Sequence, residues 1–171
     1  MGGGWDATNV VEPVASVITS VDFDHTDFLG DSLIEIATQK AGVARKGRPL
    51  VWAGGGQLGR DKSCEAKFLE VCRSKGAEVL EIGKLPTSLR LGGPSIHQII
   101  EENLPHKVRH VGYYYQNLTT AIWAASSVSW LADDLQHQVQ EALRLPLPPN
   151  LRARYDELHL SSGLQLFLDV C

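Results

Sequence analysis

Apolar residues recur along the chain in two rhythms. Five short runs are almost continuous: residues 14–21, 49–53, 77–82, 108–115 and 164–170. The first and last barely alternate, which is the pattern of strands covered on both faces. Between the runs the spacing shifts toward the helical period, and helices are predicted over residues 32–41, 64–75 and 117–144. Asp31 precedes the first of these as an expected N-cap, and Gly42 follows it as an expected left-handed C-cap. The second carries Phe68, Leu69 and Cys72 on one side and ends in Lys75-Gly76. Strands alternating with helices predict an α/β fold, a mainly parallel sheet with flanking helices.

Leu145-Pro146-Leu147-Pro148-Pro149-Asn150 is the proline-rich stretch of the sequence. Proline ends a helix and stiffens a connection, so this stretch reads as a linker. It sets off a first domain, residues 1–147, from residues 148–171, the linker and the opening strand or hairpin of a second domain. No internal repeat or low-complexity segment interrupts that plan.

Composition narrows the classes of function. Of 171 residues, 43% are hydrophobic and 21% charged, the make-up of a globular domain with a sizeable core. Lys and Arg number 16 against 20 Asp and Glu, a formal net charge of −4. With Arg45-Lys46-Gly47-Arg48 as the densest basic run, nucleic acid is not an expected partner. No apolar run approaches the roughly 20 residues that cross a bilayer, so no membrane is expected either. The opening Met1-Gly2-Gly3-Gly4 is no signal peptide, and Asp6 breaks the myristoylation pattern. Cys64, Cys72 and Cys171 lack metal-ligand spacing, so free thiols in a reducing compartment are expected.

Three places could carry chemistry. Asp22-Phe23-Asp24-His25-Thr26-Asp27 follows the first strand directly, and ligands of open α/β sheets bind at the carboxyl ends of strands. Such a His among carboxylates suits a hard cation or a proton transfer, or else a polar loop leading into the next helix. Gly54-Gly55-Gly56-Gln57-Leu58-Gly59 contains G-x-G-x-x-G just after the second strand, with Glu78 and Glu81 where a ribose-binding acid would stand. The polar run Arg60-Asp61-Lys62-Ser63-Cys64 then argues for an ordinary strand-to-helix connection instead. Lys40 closes the first predicted helix, where a cation is favoured by the helix dipole.

Gly2-Gly3-Gly4-Trp5-Asp6-Ala7-Thr8-Asn9 matches a glycine-glycine-x-x-Asp-x-Thr-Asn element. Asp24-His25-Thr26-Asp27-Phe28-Leu29-Gly30-Asp31 matches an Asp-His-Thr-x-x-Leu-Gly-Asp signature, and Ile36-Ala37-Thr38-Gln39-Lys40-Ala41-Gly42-Val43 an Ile-Ala-x-x-Lys-Ala-Gly-Ile run. In this order and spacing, over residues 2–49, the chain resembles the folylpolyglutamate synthase/dihydrofolate synthase family, relatives of the Mur ligases. The likeness is faint over residues 51–107 and returns at Tyr115-Gln116, at Arg154 and at Leu168-Asp169-Val170.

The resemblance implies an internal fragment, a partial P-loop-type ATPase domain of the Mur-ligase central kind, truncated at both ends. Its parent would be an ATP-dependent, ADP-forming ligase. ATP phosphorylates a carboxylate of folate or dihydropteroate, and the amine of L-glutamate attacks the acyl phosphate. By the same resemblance Mg²⁺ is the cofactor, held by His25 and a carbamylated Lys40, with a monovalent cation as a second candidate ion. Trp5, Asp6 and Ala7 match the segment lining the pterin site, and Arg154 and Asp169 match residues that contact ATP. Thr119 stands where the family places an asparagine against adenine. The family's P-loop, a metal-binding glutamate and most of a Rossmann-like second domain lie outside the matched residues, so this chain alone is expected to be inactive. The whole enzyme is expected to be a monomer in the cytoplasm, or in the mitochondrion of a eukaryote. Two rival readings remain: a dinucleotide-binding oxidoreductase module using Gly54, Gly56 and Gly59, and a non-catalytic truncated relative.

Overall fold

Leu50, Val51 and Trp52 are buried one after another in the strand β2 (Pro49–Gly55). Consecutive burial requires cover on both faces, and β2 lies at the centre of a parallel sheet between β1 (Ser16–Ser20) and β3 (Glu78–Glu81). Ser16 pairs with Leu50 and Pro49 with Glu78. Pro49 lacks an N–H and opens its strand, a position that suits it. Toward the carboxyl end the register slips: Ile18 faces Trp52, but Ser20 faces Gly55. The structure, a computed structural model, describes residues 7–24, 26–82, 98, 102, 112–128, 135–144, 155–159 and 165–169. Two compact units divide the chain, Met1–Leu85 and Pro86–Cys171.

Within the first unit the sheet is joined by α1 (Thr26–Leu29), α2 (Leu33–Lys40), α3 (Gly56–Arg60) and α4 (Lys62–Ser74). The core is built from Ile18, Val21 and Leu50 of the sheet side, Leu33, Ile36 and Ala37 of α2, and Phe68, Leu69 and Cys72 of α4. Trp52 meets Phe68 edge to face, with ring centroids 5.1 Å apart and planes at 62°. That geometry suits the ring quadrupoles. Its indole Nε1 donates to Glu65 Oε1 at 2.8 Å, so the polar tip of a buried ring is satisfied. Asp61 caps α4 by accepting from the amides of Ser63 and Cys64. Gly76, at φ +81°, takes the left-handed turn that ends the segment, as the sequence led one to expect.

The first helix differs in detail from its expectation. Its N-cap is Ser32 rather than Asp31, because Ser32 and Glu35 form a reciprocal capping box. The chain also does not turn left-handed at Gly42. It runs on into a 3₁₀ turn, Ala41–Val43, whose carbonyls are used by Ala44 N and by the guanidinium of Arg45. Once those carbonyls have donors, no left-handed cap is needed.

In the second unit the expected strand over residues 108–115 is corrected. Residues 112–115 belong to the helix α5 (Gly112–Ser126). Tyrosines favour strands, but their helical penalty is a few tenths of a kcal/mol. The run Ala121, Ile122, Trp123, Ala124 and Ala125, buried all round, carries the helix through them. The single long helix expected over residues 117–144 is two: α5 and α6 (Leu135–Arg144). Ser126 and Ser127 hydroxyls donate to the carbonyls of Trp123 and Ala124 at the end of α5. Serine bonds of that kind compete with helix continuation. Near the end, β4 (Tyr155–His159) pairs antiparallel with β5 (Gln165–Asp169). The expected domain boundary near 147 lies outside the described residues. Among the described residues no helix is long and apolar enough to cross a membrane.

Candidate functional site

The carboxyl end of β1 leads into an exposed stretch, Asp22, Phe23 and Asp24, and then into the single turn α1. Its start is seated on the glycine-rich turn between β2 and α3. Val21 N donates to Gly55 O at 3.4 Å, Leu58 N to Val21 O at 3.1 Å, and Gln57 N to Asp22 Oδ1 at 2.7 Å. The approach demands glycine. Gly54 and Gly56 have φ of +75° and +76°. A Cβ on Gly55 would lie 2.5 Å from Thr19 O, and one on Gly56 would collide with Val21 O and lie 2.6 Å from Asp22 Oδ2.

The end of the stretch is fixed as well. Gly30, at φ +116°, lies against Glu35, where any Cβ would come within 2.7 Å of the Glu35 Cβ. Glu35 Oε2 accepts from Ser32 N at 3.0 Å and from Ser32 Oγ at 2.8 Å. Those two bonds hold the Glu35 carboxyl below its ordinary value, the hydroxyl contributing most. Leu29 is buried in the core between these two anchors.

Of the residues singled out from the sequence, His25, Trp5, Asp6 and Arg154 lie outside the described residues. Ala7 begins a 3₁₀ turn, Ala7–Val10, and Asn9 of that turn accepts from the Arg45 guanidinium. Lys40 is the last residue of α2 and is half-buried. Lys40 is eighth in the helix after the Ser32 cap, about 12 Å along its axis. Thr119 is half-buried in α5, and Asp169 closes β5 opposite Tyr155. Among the described residues no three His, Cys, Asp or Glu side chains gather in a way that could hold a metal ion. The described residues therefore do not compose a cation cage by themselves.

The dinucleotide reading of Gly54, Gly56 and Gly59 is corrected by this geometry. In that fingerprint the amides at the helix start face a pyrophosphate. Here the Gln57 amide is taken by the carboxylate of Asp22 and the Leu58 amide by the carbonyl of Val21. Glu81, one of the acids considered for a ribose, is paired with Arg73 at 2.6 Å. The helix that follows, α3, has 5 residues before Asp61 starts a new one. The glycines serve the chain's own backbone.

The two described thiols, Cys64 and Cys72, are not poised for nucleophilic work. Cys72 is fully buried, and burial pushes it up to about 11. Cys64 is also raised, first by its hydrogen bond to Asp61 and then by desolvation. What the sequence could not reveal is the bond between Asp22 and Gln57. Asp22 stood out as an acid after a buried strand, but nothing local names a partner 35 positions away.

The parallel sheet with its flanking helices belongs to the α/β class. A solved structure of the bifunctional folylpolyglutamate synthase/dihydrofolate synthase from Yersinia pestis CO92 is matched over 100% of this chain and 38% of its own, with a TM-score of 0.54 and 26% identity. Escherichia coli FolC, solved in complex with DHPP and ADP, is matched over the same shares at a TM-score of 0.54 and 23% identity, a likeness of fold. No family model matches the chain. In sequence, the dihydrofolate synthase/folylpolyglutamate synthase of Bacillus subtilis (strain 168) is 51% identical over 53 residues, 31% of this chain. Over those residues the chain is similar to the dihydrofolate synthase/folylpolyglutamate synthase, and the matched segment spans 12% of the length of that curated relative.

Proposed function

We propose that the protein carrying this segment is an ATP-dependent ligase that joins L-glutamate to folate or dihydropteroate through an acyl phosphate, releasing ADP. The observation that carries the reading is the 51% identity to the Bacillus subtilis synthase. The ADP and DHPP of the Escherichia coli structure support a nucleotide and a folate-type substrate. On this reading Trp5, Asp6 and Ala7 line the pterin site, and Arg154 and Asp169 contact ATP, with Thr119 near the adenine. Mg²⁺ would be held by His25 and by an oxygen of carbamylated Lys40, and it would neutralise phosphate charge. Two features of the described residues favour a special role for Lys40. It is half-buried, and Arg45, not Lys40, donates to the carbonyls of Gly42 and Ala44 in the turn that follows α2. The enzyme is proposed to be a monomer in the cytoplasm, where the free thiols Cys64 and Cys72 stay reduced.

The test incubates the whole protein with ATP, Mg²⁺, labelled L-glutamate and either dihydropteroate or a reduced folate. Glutamate-dependent ADP release with a longer glutamyl product is expected. Saturable binding of a nicotinamide nucleotide without ligation would reject the reading in favour of an oxidoreductase module.

A further inference from the structure

The stretch that bears the proposed metal-binding histidine is anchored at both ends by carboxylates to which the resemblance assigns no role. At its start Asp22 reaches across from β1 to the first turn of α3, where its Oδ1 accepts the Gln57 amide at 2.7 Å. That bond crosses two elements, and it is backed by Val21 O accepting from Leu58 N at 3.1 Å. Gly56 leaves the space for it, since a Cβ there would lie 2.6 Å from Asp22 Oδ2. At its end Glu35 closes on Ser32 and on Gly30. Among the described residues between the anchors, Leu29 is sunk in the core, while Asp22, Phe23, Asp24, Thr26 and Phe28 are exposed. A largely exposed stretch depends on its anchors to fix its path.

We infer that Asp22 is a positioning residue: its carboxylate, bound to the Gln57 amide, fixes the segment 22–29 against the glycine-rich turn. The consequence for function rests on the ligase reading above. The turn Gly54–Gly59 thus acts as a seat for the loop rather than as a cradle for a nucleotide. A charged acceptor bonded to an amide is among the stronger single hydrogen bonds, and its loss frees the loop without opening the core.

Hydrogen exchange on the folded chain decides the point independently of any activity. In Asp22→Ala, exchange at the Gln57 amide and across residues 23–29 should rise about tenfold or more, while amides of β1, β2 and β3 keep their protection. Asp22→Asn keeps an acceptor oxygen and should return most of that protection. Unchanged exchange over residues 23–29 in Asp22→Ala would overturn the inference. So would a uniform rise through the whole first unit, which would mark Asp22 as a general stabiliser. In the ligase assay, turnover should fall in Asp22→Ala with the KM for ATP nearly unchanged, and should recover in Asp22→Asn. If no variant and no parent protein ligates, the ligase reading fails while the exchange result still stands.

Discussion

Gly47 and Gly59 separate two costs that a glycine can conceal. Gly47 is left-handed at φ +67°, yet a Cβ added to it meets nothing within 4 Å. Gly47→Ala should therefore cost the backbone term alone, about 1 kcal/mol. Gly59 has an ordinary backbone, but its Cβ would be driven into the carbonyl of Gly54. Backbone cannot give way as a side chain can, so Gly59→Ala should cost about 3 kcal/mol. Paired urea melts of the two variants check the order; equal losses would mean that the turn relaxes. Lys40 makes a second residue-scale case. If it carries a carbamate, Lys40→Ala should remove most ligase activity and Lys40→Arg should not restore it, because a guanidinium stays protonated and cannot become an anionic ligand. Carbon-13 bicarbonate should label Lys40 in the whole protein. An active Lys40→Arg variant would reduce the lysine to a helix-end charge.

At the scale of elements, the helix starts carry a pH signature. The carboxyls of Glu35 and Asp61 are both held below their ordinary values, Glu35 by the hydroxyl and amide of Ser32 and Asp61 by the backbone amide and thiol of Cys64. A lowered folded value means stability that is complete above the ordinary value and is lost as pH falls through the folded one. The caps of α2 and α4 should thus weaken progressively below 4.5 and 3.8, respectively. Ser32→Ala should cost about 1 kcal/mol at neutral pH and flatten the α2 part of the acid limb, because Glu35 then loses its hydroxyl donor and keeps only the amide of residue 32. Helical circular dichroism followed against pH in both proteins checks this.

The same elements mark how far the sequence could be read. The strand β2 and the apolar face of α4 were legible, since consecutive burial and helical spacing leave their own patterns. The capping box was hidden by a choice between neighbours: Asp31 and Ser32 are both good caps, and only the reach of Glu35 decides. The tyrosines of α5 misled because local preference is weak beside an apolar run that is buried all round. The run Asp22 to Asp27 was visible as a motif, whereas its seat on Gln57 depends on a contact between distant segments.

Over the whole molecule the aligned part spans 12% of the curated Bacillus subtilis relative, and amides of the glycine-rich turn are engaged by Asp22 and Val21. The 171 residues by themselves should accordingly show no glutamate-dependent ADP release; measurable turnover by this chain alone would show that its residues suffice. The parallel sheet has a further consequence, for the order in which the first unit comes together. Ser16 must find Leu50, and Leu50 must find Val79, each across roughly thirty intervening residues, so a large loop must close for each of β1 and β3 before all three strands are paired. The middle strand waits on both. Trp52, wrapped by Phe68 and bonded to Glu65, is sheltered only when that wait is over, and its fluorescence in a refolding experiment should time the slow closing event rather than the first collapse.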